Sequence, residues 1–151
     1  MQVVLVEPEI PQNTGSVARL CAATETRLHL VGRLGFSLED RYLKRAGLDY
    51  WPLVDLRVHA SWSEFAAATS PGRLLAFSSH GADSYTSIAY DDADCLVFGG
   101  ESRGFPEELR ERLAPLYRIP LAQPAVRSLN LANAVSIVLY EGLRQLGRLS
   151  P

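Results

Sequence analysis

The sequence contains few of the features that mark membrane-bound, secreted or metal-binding proteins. No apolar run approaches the roughly 20 residues of a membrane helix, and the first residues lack the basic region of a signal peptide. We therefore expect a cytoplasmic protein without a membrane partner. Cys21 and Cys95 are far apart and form no Cys-x-x-Cys pair, which predicts buried free thiols. The three histidines show no metal-ligand spacing, so we expect no metal site.

Basic residues are also scarce, since 15 Lys and Arg stand against 17 Asp and Glu, for a net charge of −2. This balance excludes a generally basic protein that coats nucleic acid. Between Arg19 and Ala46, however, basic residues outnumber acidic ones. The basic residues there are Arg19, Arg27, Arg33, Arg41, Lys44 and Arg45. Such a patch is either a phosphate-binding surface or a solvated helix face, and charge alone favours the solvated face.

The length of 151 residues, with 47% hydrophobic content, fits one domain covering residues 1–151. Apolar patterns predict strands at 3–6, 27–31, 53–58, 73–77, 95–98 and 117–120. They predict helices at 14–23, 38–46, after the capping box of Ser61 and Glu64, from Pro106, and at 131–146. Alternating strands and helices predict an α/β fold with a mostly parallel sheet flanked by helices.

A glycine-rich segment follows the buried strand at 95–98. Gly99, Gly100 and Gly104 bring bare backbone to a place where a side chain would block a ligand. The spacing fits neither the G-x-G-x-x-G dinucleotide loop nor a G-K-[ST] phosphate loop. A tight turn that needs glycine for geometry and a ligand site explain it equally well. Glu101 and Arg103 either brace this turn as an ion pair or face a substrate.

Polar residues crowd the start of the final helix: Arg127, Ser128, Asn130 and Asn133. Ser128 and Asn130 both suit a helix cap, and the exposed N–H groups there also suit a polar or anionic ligand. The helix itself is apolar around much of its circumference, which is typical of a helix that is central or covered by a partner subunit.

The first helix raises a similar choice. Asn13 suits its N-cap. Arg19 lies between Ala18 and Leu20 in an otherwise apolar helix, so it either reaches solvent with a packed stem or binds a phosphate.

Three segments together resemble the three motifs of the SPOUT (SpoU-TrmD) methyltransferases, in the same order. They are Asn13-Thr-Gly-Ser-Val-Ala-Arg19, Phe98-Gly-Gly-Glu-Ser-Arg-Gly104 and Ser128-Leu-Asn-Leu-Ala-Asn-Ala-Val135. The resemblance covers residues 3–146. Within the family, the chain is most similar to the minimal, extension-free type that methylates the ribose 2′-oxygen of cytidine or uridine at wobble position 34 of tRNA.

The resemblance implies an α/β fold with a C-terminal deep trefoil knot, S-adenosylmethionine as methyl donor without a metal, and a homodimer with active sites at the subunit interface. It implies the anticodon stem-loop of tRNA as the partner. The expected donor-binding residues are Phe77, Gly99, Gly104, Ile119, Ser128 and Leu129. The expected catalytic residues are Arg19, Tyr140 and Asn13, and the expected RNA-binding residues are Arg41, Lys44 and Arg45.

Arg19 matches the catalytic arginine of the family. A guanidinium, with a pKa above about 12, seldom gives up its proton. We therefore expect Arg19 to position a phosphate and stabilise the developing alkoxide, while that phosphate or water accepts the proton. Two other functions remain open: a non-catalytic, flavodoxin-like nucleotide-binding module, and a hydrolase using Ser79, His80 and Asp83, although no G-x-S-x-G elbow is present.

Overall fold

A computed structural model describes residues 1–39, 41, 43, 45 and 48–149 of the protein. In this part of the chain the strands are β1 (Gln2–Val6), β2 (Arg27–Val31), β3 (Leu56–His59), β4 (Leu74–Phe77), β5 (Asp83–Ser84), β6 (Cys95–Phe98) and β7 (Leu116–Arg118). The helices are α1 (Pro11–Ala23), α2 (Trp62–Thr69), α3 (Glu107–Arg112) and α4 (Leu131–Gln145). Short 3-10 helices cover Leu48–Leu53 and Tyr85–Ser87. No described helix is long and apolar enough to cross a membrane.

The strands form one parallel sheet in the order β3-β2-β1-β6-β4-β7-β5. Strand β6 lies between β1 and β4 and is buried along its whole length, as expected for an apolar strand of a covered parallel sheet. Phe77 pairs with Phe98, so β4 and β6 end at the same level. Segments that follow these strands therefore meet at one edge of the sheet. The predicted α/β fold with a mostly parallel sheet is confirmed.

The helices cover both faces of the sheet. Val17 on α1 and Val138 on α4 pack in one apolar cluster, while Phe65 on α2 and Leu109 on α3 pack in another on the opposite face. Burying these side chains supplies most of the free energy that holds helices against a sheet. Both cysteines are buried and free, as predicted.

A buried histidine pair joins β2 and β3. His29 Nδ1 lies 3.0 Å from His59 Nε2, and His29 Nε2 lies 2.7 Å from the side-chain oxygen of Gln2. Because Gln2 offers an oxygen, His29 Nε2 donates to it, and His29 Nδ1 accepts from His59. Burial, with the neighbouring His59 and the Arg27 charge, lowers the pKa of His29 to about 4. The neutral form of His29 therefore fits this site.

Helix starts show where the predictions succeed and where they are wrong. Asn13 was expected to cap the first helix, but that helix begins at Pro11 and Ile10 occupies the cap position. Proline suits the first helical position because it has no N–H group to satisfy there. Asn130 caps α4 and Ser61 caps α2, both through side-chain oxygens. The Ser61 cap was predicted, and Asn130 was one of the two residues, with Ser128, that suited the cap of the final helix.

Three boundaries also differ from the predictions. Strand β3 begins at Leu56 because Leu48–Leu53 forms a 3-10 helix, and the last predicted strand, 117–120, ends at Arg118. Strand β5 was not predicted, since two residues carry no periodic pattern. Of the helix predicted at 38–46, residues 41, 43 and 45 are helical and 38–39 form a turn; the other positions lie outside the described residues.

Candidate active site

A cavity of about 750 Å³ opens at the edge of the sheet where β4, β6 and β7 end. Ligands of open α/β sheets bind at the carboxyl ends of the strands. All six residues predicted to bind the donor line this cavity: Phe77, Gly99, Gly104, Ile119, Ser128 and Leu129. The fold thus brings together positions from four separate segments, and we call this space the donor cavity.

The glycine turn forms one wall of the donor cavity. Gly100 and Gly104 exchange two backbone hydrogen bonds of 3.1 and 2.9 Å. A Cβ atom on Gly99 would lie 2.4 Å from the carbonyl carbon of Gly104, and one on Gly100 would lie 2.6 Å from the carbonyl oxygen of Glu7. Side chains are therefore excluded by the turn itself. The interpretation of a turn that needs glycine for its geometry is therefore confirmed, and the bare backbone of the same glycines lines the cavity.

Glu101 braces this turn against the start of α1. Its carboxylate accepts hydrogen bonds from the backbone N–H groups of Glu9 (2.7 Å) and Ile10 (3.1 Å) and from Asn13 Nδ2 (3.1 Å). A carboxylate is stabilised at a helix start, where free N–H groups carry partial positive charge. Glu101 therefore braces the turn, which was one of its two predicted roles. Its partners lie at the start of helix α1, however, and Arg103 is not among them.

Asn13 extends this contact to the final helix. Its Oδ1 accepts a 2.8 Å hydrogen bond from Asn130 Nδ2, and Asn130 Oδ1 in turn caps α4. We call the series Glu101, Asn13 and Asn130 the motif bridge, because one residue comes from each of the three sequence motifs. Asn13 is buried and does not line the donor cavity. The bridge therefore fixes the two cavity-lining segments relative to α1.

A second contact joins the same two parts of the chain. The backbone N–H of Ser102 donates a 3.1 Å hydrogen bond to Glu9, and the Ser102 hydroxyl donates another to the same carboxylate. These two donors lower the pKa of Glu9. The oxygens of both Glu9 and Glu101 are thus used by hydrogen-bond donors of the protein.

Arg19 and Tyr140, two of the predicted catalytic residues, lie away from the donor cavity. The Arg19 guanidinium is exposed and stacks over the Tyr50 ring, 5.0 Å from its centre. Tyr140 is 46% exposed and lines a separate, smaller cavity with Ala23 and Leu143. Within one protomer, neither side chain reaches the predicted donor site.

The predicted RNA-binding patch is described in part. Arg41 and Arg45 are exposed at helical positions, while Lys44 lies outside the described residues. Arg27, another basic residue of the same stretch, pairs with Asp55 at 2.7 Å near the start of β2. That pair is at the amino edge of the sheet, opposite the donor cavity, so Arg27 is neutralised within the protein.

Four arginines line the donor cavity, and two of them were not singled out from the sequence. Arg103 and Arg127 belong to segments that the motifs already marked; Arg110 lies on α3 and Arg118 ends β7. The available signal was their position, since Arg110 lies on the helix that follows the glycine turn and Arg118 lies within the last predicted strand, 117–120.

The geometry gives little support to a hydrolase site or a metal site in the described part of the chain. Ser79 and His80 line the donor cavity, but in the described chain no hydrogen bond joins the side chains of Ser79, His80 and Asp83. A hydrolase triad needs those bonds. Among the described residues no cluster of three or more His, Cys, Asp or Glu side chains has the arrangement of a metal site.

Comparison with known proteins identifies the family. Residues 1–140 match the SpoU rRNA Methylase family. The chain belongs to this family. The resemblance to the SPOUT methyltransferases, based on three short motifs, is thereby confirmed.

Family members of known name are similar over nearly the full length. The chain is 49% identical to the tRNA (cytidine(34)-2′-O)-methyltransferase of Methylovorus glucosotrophus (strain SIP3-4) over 144 residues, which are 95% of this chain and 94% of that protein. It is 44% identical to the enzyme of the same name from Escherichia coli (strain K12), over 97% of this chain and 94% of that protein.

Two solved structures of family members agree in fold. One, described as "Structural insights into the 2-OH methylation of C/U34 on tRNA", superposes with a TM-score of 0.92 at 51% identity, over 97% of this chain and 95% of that chain. The other is the SpoU methyltransferase AviRb from Streptomyces viridochromogenes in complex with the cofactor AdoMet, with a TM-score of 0.86 at 26% identity, over 97% of this chain and 60% of that chain.

Proposed function

We propose that this protein transfers the methyl group of S-adenosylmethionine to the ribose 2′-hydroxyl of nucleotide 34 in tRNA. The observation that carries the proposal is the donor cavity, which all six expected donor residues line. Near full-length similarity to enzymes named for cytidine-34 2′-O-methylation supports the choice of acceptor.

The donor cavity fits a flat, polar small molecule. Its volume of about 750 Å³ is in the range of ordinary ligand pockets. Phe77, Ile119 and Leu129 offer apolar surface, and Gly99 and Gly104 offer backbone without side chains. When bound, S-adenosylmethionine supplies a methyl group already activated by its sulfonium. Since this chemistry needs no metal, we expect chelators to leave activity unchanged, apart from the effect of Mg²⁺ on RNA folding.

The acceptor oxygen must be aligned with the methyl carbon and must lose its proton. Alignment alone supplies a large part of the acceleration in such transfers. We assign Arg19 to hold a phosphate next to the target ribose and to stabilise the developing alkoxide, while that phosphate or water accepts the proton. Tyr140 completes the acceptor side, and Asn13 acts through the motif bridge.

Because Arg19 does not reach the donor cavity of its own protomer, we propose a homodimer in which each protomer supplies Arg19 to the cavity of the other. Helices α1 and α4 lie side by side, joined by Asn13 and Asn130 at one end. At the other end, Ala23 and Leu143 line one small cavity. Ile137 and Tyr140 on α4 are exposed apolar side chains, 37% and 46% accessible, and suit a subunit interface.

Mixed dimers test this arrangement. Arg19→Ala removes the acceptor-side group, and Gly99→Val disrupts the glycine turn that forms one wall of the donor cavity, so each variant alone should lack methyl transfer. Co-expressed, differently tagged chains should form mixed dimers with one intact site and recover up to about half of the activity of a wild-type dimer. Arg19→Ala should also bind S-adenosylmethionine as well as wild type does by calorimetry. Inactive mixed dimers that still form would show that Arg19 acts within its own protomer.

The reaction itself is tested by incubating the protein with methyl-labelled S-adenosylmethionine and bulk tRNA. We expect label in tRNA, at the 2′-oxygen of nucleotide 34 after nuclease mapping. A nucleotide-binding module would bind the donor without transferring label, and that result would replace the proposed function. Label at another nucleotide would keep the chemistry and correct the acceptor.

We also propose that the protein is one cytoplasmic domain whose C-terminal part is threaded as the trefoil knot that the resemblance implies. Support comes from the loops after β4, β6 and β7 and the segment before α4, which all converge on the donor cavity.

A further inference from the structure

The four arginines of the donor cavity have no carboxylate partner, unlike five arginines elsewhere in the described chain. Within the described residues, none of the four forms an ion pair or a side-chain hydrogen bond. Elsewhere, five arginines pair with carboxylates: Arg27, Arg57, Arg73, Arg144 and Arg148. Arg33 and Arg112 also form none of these contacts, but they do not line the cavity. We call the four unpaired arginines that do line it, Arg103, Arg110, Arg118 and Arg127, the arginine collar.

Nearby carboxylates do not neutralise the arginine collar. Among described residues, Glu101 is the one acidic side chain that lines the cavity, and its oxygens accept hydrogen bonds from α1. Glu9 lies near Arg103. The charge of Arg103 lowers the Glu9 pKa less than the two hydrogen bonds from Ser102 do. The oxygens of Glu9 are likewise used by Ser102. The collar therefore leaves a positive field at the cavity on a protein whose net charge is −2.

Four like charges around one cavity repel one another, so this arrangement is stable only at some cost without a bound anion. The four arginines come from four segments: the glycine turn, α3, β7 and the loop before α4. All four side chains are exposed. An extended ligand with several negative groups can contact such a set, whereas one small anion cannot contact all of it.

We propose that the arginine collar binds consecutive phosphates of the acceptor RNA strand and holds that strand across the mouth of the donor cavity. This inference rests on the proposed function and deepens it. Guanidinium groups bind phosphate oxygens in a bidentate manner, and they keep their charge at any physiological pH. The methyl donor is a poor alternative partner, because it brings one carboxylate together with a positive sulfonium.

The test compares RNA binding with donor binding. We would replace all four arginines by glutamine and measure the dissociation constant for bulk tRNA by filter binding over a series of salt concentrations. Each lost contact to a single-stranded phosphate should reduce the slope of log affinity against log salt by about 0.7. We expect tRNA affinity at low salt to fall more than about tenfold, while S-adenosylmethionine affinity by calorimetry stays within about twofold.

Two matched controls separate charge from structure. The variant with all four arginines changed to lysine keeps the charges and should keep most of the wild-type slope. Arg57→Gln removes one exposed charge at β3, away from the cavity, and should leave the slope unchanged. If the fourfold glutamine variant does not fold, the four single variants give the same slope measurement.

The outcomes are distinct. An unchanged salt slope in the glutamine variants, with methyl transfer by wild type intact, overturns the arginine collar alone. A loss of donor affinity with an unchanged slope also overturns it and assigns these arginines to the carboxylate of the donor. Absence of transfer by wild type removes the proposed function instead.

Discussion

Arg73 and Arg118 lie at opposite ends of neighbouring strands, β4 and β7, and their guanidinium groups have different surroundings. Arg73 precedes β4 and donates two 2.8 Å hydrogen bonds to Asp94, whose side chain is 1% accessible. Arg118 ends β7 at the donor cavity and has no carboxylate partner among the described residues. Arg73 at the amino edge of the sheet is thus paired within the protein, whereas Arg118 at the carboxyl edge is not.

Carboxylates, by contrast, have partners within the protein at both edges. Asp55 at the amino edge pairs with Arg27 and Arg57. Glu9 and Glu101 at the carboxyl edge accept from backbone and side-chain donors and so shape the glycine turn. We expect charge at the amino edge to serve stability, and the unpaired arginines at the carboxyl edge to serve the proposed site. Functional sites commonly keep such unpaired groups at a cost to stability.

The largest effect should come from Gly99→Ala. The new Cβ would meet the backbone of Gly104 at 2.4 Å, and backbone atoms cannot rotate away. We expect a loss of about 3 kcal/mol in unfolding free energy and at least a tenfold loss of donor affinity. Thermal unfolding and calorimetry measure the two. Gly147→Ala is the control, since open space surrounds that glycine and its φ of +67° costs strain alone. Normal donor affinity in Gly99→Ala would contradict the proposed site.

Glu101→Gln should separate positioning from stability. The glutamine side chain keeps the shape of glutamate, but its amide N–H groups face the N–H donors of α1. The motif bridge therefore breaks. We expect turnover to fall roughly 30- to 100-fold, or 2–3 kcal/mol, with a smaller change in donor affinity.

Adding Asn13→Asp to Glu101→Gln reverses the hydrogen-bond direction at this contact. The new carboxylate can accept from the side-chain amide introduced at position 101 and still accept from Asn130, so turnover should partly recover. Asn13→Asp alone sets two carboxylates together and should be as impaired as Glu101→Gln. Purely additive losses in the double variant would show that the bridge is not what Glu101 contributes.

Arg73→Ala tests the amino edge. It leaves the Asp94 carboxylate buried without its charged partner, so we expect a loss of about 2 kcal/mol in unfolding free energy, discounted from the value for a fully buried pair because Arg73 is half exposed. Donor affinity and turnover of the folded protein should stay at wild-type values. A large change in donor affinity would show that the two edges are not independent.

The smallest effect concerns pH. The pKa of His29 is lowered from 6.5 to about 4 in the fold, mainly by burial. Between pH 6.5 and about pH 4, His29 binds a proton in the unfolded chain but not in the folded chain. The unfolding free energy is therefore highest above pH 6.5 and falls as the pH decreases toward 4. Chemical denaturation should show a loss of about 1.4 kcal/mol between pH 7.5 and 5.5.

Four titratable or charged side chains act on His29: His59, Arg27, Asp55 and Arg57. The control variant His80→Gln leaves all four unchanged. That variant removes an exposed histidine and should keep the wild-type dependence on pH. His29→Gln should flatten it. A wild-type slope retained in His29→Gln would place the titration at another group.

Local sequence patterns were sufficient to predict much of the secondary structure of this molecule. Strand β6 is a continuous apolar run and β1 is apolar after its first residue, so the sequence predicted both strands. Helix caps depend on neighbouring residues only, so the sequence predicted Ser61 and gave Asn130 as one of two candidates. The order of the motifs was sufficient to predict the family, and the six residues expected from it to bind the donor all line one cavity. The N-cap at Asn13 was a wrong prediction because its side chain bonds instead with Glu101 and Asn130, which are 88 and 117 positions away.

Alternating periodicity and three ordered motifs therefore determine, without coordinates, an α/β chain of the methyltransferase family and the segments that hold its site. Which side chains meet is decided by tertiary structure, because parallel strands place distant segments at one edge of the sheet. The motif bridge and the arginine collar are both products of that convergence. No local spacing encodes them, since each joins residues that become neighbours only after the sheet and its helices have packed.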